Sequence, residues 1–164
     1  MLKLHVLASG SKGNAAIVEN AATGAGVLID CGICKRDFLE RCDEAGFDPT
    51  RLEAVFITHE HGDHTKGLGV VLRGLAKLGC APMVYVNRAC VDNSSTLQKI
   101  AGDFETATLG AALTLSQDEN ASEGRNKASV RDKRIVRAAG LHVIPFATSH
   151  DAAASFGFRV ESPD

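Results

Sequence analysis

The chain of 164 residues contains no tryptophan and a single tyrosine, so its basic residues have no aromatic interleaving for base stacking. No apolar run approaches the roughly 18 to 20 residues that cross a bilayer as a helix. The opening Met1-Leu2-Lys3-Leu4-His5 lacks the charged-then-apolar layout of a secretory leader. An excess of positive charge is also missing. The 18 Lys and Arg stand against 20 Asp and Glu, and a formal charge of −2 leaves no global field to draw the protein onto nucleic acid or an anionic membrane. Five cysteines (Cys31, Cys34, Cys42, Cys80, Cys90) are odd in number and lie in or beside apolar patterns, which suits reduced thiols better than a disulfide framework. These absences together predict a cytoplasmic protein with no membrane partner.

What is present is globular. Apolar residues make up 45% of the chain and charged ones 23%, enough for one sizeable core, so 1–164 is read as a single domain. Leu2 to Ala8, Ala15 to Glu19 and Val27 to Asp30 are strand-like segments separated by turn-rich stretches, and predict an antiparallel meander. Between Asp37 and Gly46, Phe38, Leu39, Cys42 and Ala45 repeat at helical spacing. Ala54 to Thr58 reads as a strand buried on both faces, Leu68 to Gly79 as a helix, and Met83 to Val86 as a further strand: an α/β unit. A helix is expected over Asn87 to Ile100, a short strand over Ala112 to Leu115, and strands over Leu141 to Ala147 and Phe156 to Val160. The polar, aperiodic stretch 116–133 is expected to be an exposed loop or insertion.

Chemistry concentrates in His59-Glu60-His61-Gly62-Asp63-His64, directly after the buried strand. Imidazoles at His59, His61 and His64 and the carboxylate of Asp63 give four candidate metal donors within six residues. On a helix, positions i and i+2 point roughly 200° apart, so the spacing predicts a loop that can turn its donors toward different ions. Imidazole and carboxylate donors suit zinc, and also manganese or iron, while the lack of a thiolate cluster argues against a closed structural zinc site. Gly62 suggests a backbone forced through a tight conformation.

This segment resembles the hallmark His-x-His-x-Asp-His loop of the metallo-β-lactamase superfamily, which is commonly introduced by Thr, as Thr58 introduces this one. Leu28-Ile29-Asp30-Cys31-Gly32 and Thr65-Lys66-Gly67-Leu68 look like the family's flanking segments. The stretches 7–14 and 145–152 look more specifically like the YycJ/WalJ-like subfamily. The resemblance implies an α/β fold of the αββα sandwich type, with its amino-terminal half present. It makes His59, His61 and His150 ligands of one ion and Asp63 and His64 ligands of a second, so that the cofactor is a pair of divalent ions, zinc foremost. Asp63 is also the candidate catalytic residue, orienting a metal-activated hydroxide or relaying its proton. Asp30 and Asp151 are placed behind the ligands, Asp30 to orient the loop by hydrogen bonding and Asp151 either to do the same or to serve as a turn residue.

The subfamily resemblance implies a hydrolase that is a phosphodiesterase or DNA exonuclease, with DNA or another phosphodiester as partner. A thioesterase or lactonase of the same fold is the alternative within the enzyme class. Arg125, Lys127, Arg131, Lys133, Arg134 and Arg137 form a basic cluster that either contacts phosphates or is simply solvated. Cys31-Gly32-Ile33-Cys34 has redox-motif spacing without a second pair. Ser9 to Asn14 reads as a turn between strands, and His5 and His142 as structural residues. The family's later bridging Asp and final His have no counterpart before Asp164. The expectation is therefore an amino-terminal portion, a truncated gene product or half of an assembly, with an exposed sheet face that favours self-association. A non-catalytic metal-binding or partner-binding remnant is the reading from a different class.

Overall fold

The computed structural model describes residues 1–103, 109–110 and 135–163. Strands β1 (Leu2–Ala8), β2 (Ala15–Asn20) and β3 (Gly26–Ile29) form the antiparallel meander. From β3 the sheet continues in parallel through β4 (Leu52–Phe56), β5 (Met83–Tyr85) and β6 (Leu109–Gly110), in the order β1-β2-β3-β4-β5-β6. A second, antiparallel sheet contains β7 (Val136–Ala138), β8 (Leu141–Ala147) and β9 (Phe156–Glu161).

Helices α1 (Lys35–Glu44), α3 (Leu68–Lys77), α4 (Arg88–Asp92) and α5 (Ser95–Asp103) accompany the first sheet, and α2 (Gly62–Thr65) is a single turn. Alternation along β4 separates two cores. Val55 faces the helices, among Phe38, Leu68, Val71 and Leu75. Ala54 and Phe56 face the second sheet, among Val136, Leu141 and Val143. Phe56 stacks on Tyr85 with ring centroids 4.9 Å apart and meets Phe158 at 5.3 Å. Helices, large sheet and small sheet thus form three layers of an αββα sandwich. A strand covered on both faces must be apolar throughout, which is why β4 reads as an unbroken run.

The structure departs from the sequence reading of these elements in two places. The helix expected over 87–100 is two helices, because two side chains each start one. Asn87 accepts the Ala89 N–H at 2.8 Å and Ser94 accepts the Leu97 N–H at 3.2 Å. Strand β7 was not anticipated. It turns into β8 through Ala139 and Gly140, both at positive φ (56° and 66°), without the Asn-Gly signal that usually marks such a hairpin. Ala139 is held there from outside the turn: its N–H donates to Glu53 and its carbonyl accepts from Asn20 Nδ2 at 3.1 Å. The short strand and the loop expected over 112–115 and 116–133 lie outside the described residues.

On β1 the face opposite Leu7 carries Leu4 and Val6, which are 66% and 61% exposed. Among the described residues no helix is long and apolar enough to cross a membrane. On the helix-facing side, Glu19 of β2 is buried and accepts His5 Nε2 at 2.7 Å and Lys3 Nζ at 3.0 Å. The hydrogen bond from His5, then that from Lys3, hold its carboxyl below the ordinary value of 4.5. As pH falls past 4.5 the unfolded chain takes up this proton before the native one does, so the stabilisation is complete above 4.5 and lost below it. Glu19→Gln should therefore flatten the fall of unfolding free energy below pH 4.5, measured by urea denaturation at successive pH values.

Candidate metal centre

Parallel strands open a crevice at their carboxyl ends, and the site stands at that end of β4. Residues 58–61 leave the strand there, and residues 148–155, joining β8 to β9, reach the same place. Three contacts dock this second loop. Phe156 N–H donates to Thr58 O at 3.0 Å, Ala153 N–H donates to Glu60 Oε1 at 2.6 Å, and Thr148 N–H closes the loop on Ser155 O at 2.9 Å. The result brings one nitrogen from each of His59, His61 and His150 within 4.8 Å of one another. His59 is buried, His61 half-buried and His150 exposed.

His59 Nε2 is buried and has no hydrogen-bond partner. A buried polar atom left unpaired costs about 1–3 kcal/mol, so the site is unfavourable unless something occupies it. Three converging imidazoles with one orphaned lone pair fit a borderline divalent cation. Thiolates are not available to compete: burial pushes the Cys31 thiol up to about 12, and Cys34 Sγ accepts the Asp37 N–H at 3.5 Å as the cap of α1. The Cys31-x-x-Cys34 pair is not bridged; both are free cysteines.

Proton positions follow from one carboxylate. Asp30 accepts the Thr58 N–H at 2.8 Å, the Thr58 hydroxyl at 2.8 Å and His64 Nδ1–H at 2.7 Å. Thr58 has one hydroxyl proton, and it goes to Asp30. His59 Nδ1, 2.9 Å from Thr58 Oγ1, must then be the donor of that contact. Both His59 and His64 are thereby assigned Nδ1–H tautomers with the Nε2 lone pair free. The hydrogen bond to Asp30 raises the His64 pKa above its usual range, whereas burial, then the neighbouring His64, lowers that of His59. Asp30 itself has φ 58°, a left-handed conformation that short polar residues tolerate.

Asp63 and His64 lie on α2, one turn of helix, so the six-residue segment is a loop only as far as His61. The rings of His64 and His59 are 4.1 Å apart, and Asp63 Oδ2 lies 3.4 Å from His64 Nε2. The tight backbone expected at Gly62 is found elsewhere. A side chain at Gly62 would meet nothing within 4 Å, because the residue opens α2 at the surface. A Cβ at Gly32 would stand 1.7 Å from Asp63 O, one at Gly67 1.7 Å from Ile33 O, and one at Gly13 2.6 Å from Gly32 O. The Asp151 side chain is exposed and makes no hydrogen bond with another described residue. Of the basic cluster, only Arg137 falls within the described residues, exposed on β7.

Two residues next to the site carry no warning in the sequence reading. Asn14, at the end of the Ser9–Asn14 turn, donates through Nδ2 to Asp63 Oδ2 at 3.1 Å. Glu60, between the first two histidines, turns away from them toward the 148–155 loop. Burial opposes its charge, but the Ala153 N–H and the neighbouring Cys90 thiol hold its pKa below the ordinary value.

Comparison with known proteins bears on the fold. Residues 9–79 match the family model of the metallo-beta-lactamase superfamily. Human tRNase Z, short form, superposes with a TM-score of 0.61 at 18% identity, covering 97% of this chain and 64% of that one. The metallo-beta-lactamase fold protein YhfI from Bacillus subtilis gives 0.59 at 17% identity, covering 98% and 58%. Over residues 9–79 the chain is similar to the metallo-β-lactamase superfamily, and it has the metallo-β-lactamase fold. Within that class it is similar to Exodeoxyribonuclease WalJ of Streptococcus pneumoniae, with 38% identity over 101 residues, or 60% of this chain and 35% of that protein. It is 36% identical over 72 residues to Exodeoxyribonuclease YycJ of Bacillus anthracis, covering 44% of this chain and 26% of that protein. The matches span about a third or less of these relatives' own lengths.

Glu60 supplies the acceptor that docks the His150 loop. Glu60→Ala should speed exchange of the Ala153 amide by about 10- to 100-fold, the equivalent of one hydrogen bond to a charged group. Glu60→Gln, which keeps an acceptor oxygen, should restore most of the protection measured by amide hydrogen exchange.

Proposed function

We propose that this chain carries the metal centre of a hydrolase that cleaves phosphodiesters, acting on DNA as an exonuclease. The observation that carries the reading is the convergence of His59, His61 and His150 around the unpaired, buried His59 Nε2. His59, His61 and His150 would hold one ion, and Asp63 and His64 a second. The donor set of imidazole and carboxylate suits zinc, with manganese or iron as alternatives. Similarity to the two exodeoxyribonucleases supports DNA as substrate; the solved structures, all below 25% identity, support the fold alone.

Divalent ions bound here would supply Lewis acidity, lowering the pKa of water and offsetting negative charge on the attacked phosphate. The chain's own residues do the rest. Asp30, through Thr58 and directly, keeps His59 and His64 in the tautomers that aim Nε2 at the site. Asp63 Oδ2 is taken by Asn14, while Oδ1 accepts no hydrogen bond from a described residue. Oδ1 is the atom we assign to orient the attacking water and accept its proton.

With end-labelled duplex DNA and added zinc or manganese, the chain should release nucleotides, and a chelator should stop the release. Asp63→Ala and His59→Ala should each reduce the rate to that of DNA without protein. Hydrolysis of thioesters or lactones with no release from DNA would replace the phosphodiester reading. Failure to retain any ion in elemental analysis would remove the metal centre altogether.

A further inference from the structure

Asn14 stands where three backbone segments meet, and each of its polar groups is engaged. Its N–H donates to Asp63 O at 2.7 Å, and its carbonyl accepts from Gly32 N–H at 2.9 Å. Its side-chain oxygen accepts the Gly10 N–H at 3.0 Å, and Nδ2 donates back to Gly10 O at 3.0 Å. One amide proton remains. It faces Asp63 Oδ2 at 3.1 Å and His64 Nε2 at 3.2 Å, two atoms that are themselves 3.4 Å apart.

We infer that Asn14 is a positioning residue for the second ion site, spacing Asp63 and His64 so that an ion can bind both. The inference rests on the proposed assignment of these two residues to one ion. In the neutral ring, the form that can bind a cation, His64 Nε2 carries the lone pair because Nδ1–H is committed to Asp30, and Asp63 Oδ2 is an anionic acceptor. Two acceptors this close repel each other unless a positive group stands between them. The Nδ2–H of Asn14 is such a group, a partial positive charge fixed by four other hydrogen bonds. It keeps the pair at a separation an ion can span, at little entropic cost when the ion arrives.

The first site needs no such device. His59, His61 and His150 converge through the β4 and β8 ends, and no hydrogen bond links Asn14 to any of them among the described residues. The two sites should therefore respond differently to the same substitution. Loss of a side chain that orients a ligand typically weakens metal binding by about 10- to 100-fold.

The test is a cobalt titration of the metal-free chain, followed by visible absorption and isothermal calorimetry. The wild type should bind two ions per chain in two steps. Asn14→Ala should weaken the second step by about 10- to 100-fold and leave the first within about twofold. Asn14→Ser, short enough to keep the turn with Gly10 yet too short to reach Asp63, should do the same and guards against misfolding of the alanine variant. Nitrogen NMR of the metal-free variants should show His64 still in its Nδ1–H tautomer, because Asp30 is untouched. An unchanged or tighter second step in both variants would overturn the inference, as would parallel weakening of both steps. A wild type that binds fewer than two ions would overturn the two-ion reading itself, and this inference with it.

Discussion

The carboxylate of Asp30 orders everything around it. Three donors from two segments converge on its oxygens: the Thr58 N–H, the Thr58 hydroxyl and His64 Nδ1–H. Through Thr58 its influence reaches His59. A single anion at the end of β3 thus fixes the chain's exit from β4, the tautomers of two imidazoles and the direction of their free lone pairs. Without it the two rings would be free to flip between tautomers, and convergence of nitrogen atoms would be a matter of chance. The carboxylate is itself buried, so its charge is held by these donors and not by water.

The position of Asp30 is a consequence of topology. Strands β3 and β4 are parallel neighbours, so both carboxyl ends open on the same edge, and the first residues past each strand lie side by side. Asp30 N–H donates to Phe56 O, continuing the ladder by one rung before the two chains part. The antiparallel pair β8 and β9 brings its own connection to the same edge from the second sheet, and Phe156 N–H joins it to Thr58. A site assembled from two sheets depends on the core between them, where Phe56, Tyr85 and Phe158 pack.

Much of this was legible in the sequence because periodicity reports burial. The meander, α1, β4, α3, β8 and β9 all follow from apolar spacing, and each lies within a few residues of its expected bounds. The histidine-rich segment announced itself by composition, whereas His150 was named only through the family resemblance, since a single His after an apolar strand reads alone as a surface residue. Asn14 was hidden because its contacts are 49 and 50 residues away, and nothing local separates it from any turn asparagine. Glu60 was hidden within the motif, since spacing names donors but not the direction in which a side chain leaves a loop. The hairpin at Ala139 was hidden because Glu53 and Asn20, distant in sequence, hold an unfavourable backbone that the local residues would not choose.

Gly13, Gly32 and Gly67 give the site a kind of rigidity that side chains cannot. Their missing Cβ atoms let the 9–14 turn, the segment after β3 and residues 63–67 rest main chain against main chain. Contacts of this sort have no rotamers to relax, so any added methyl is converted into displacement of a peptide unit beside Asp63. Sequence change in this corner of the molecule is therefore close to all-or-none. Gradual adjustment of what the site accepts has to come from the exposed rim, from Ser9, Ser11 and Lys12 on one side and the 148–155 loop on the other.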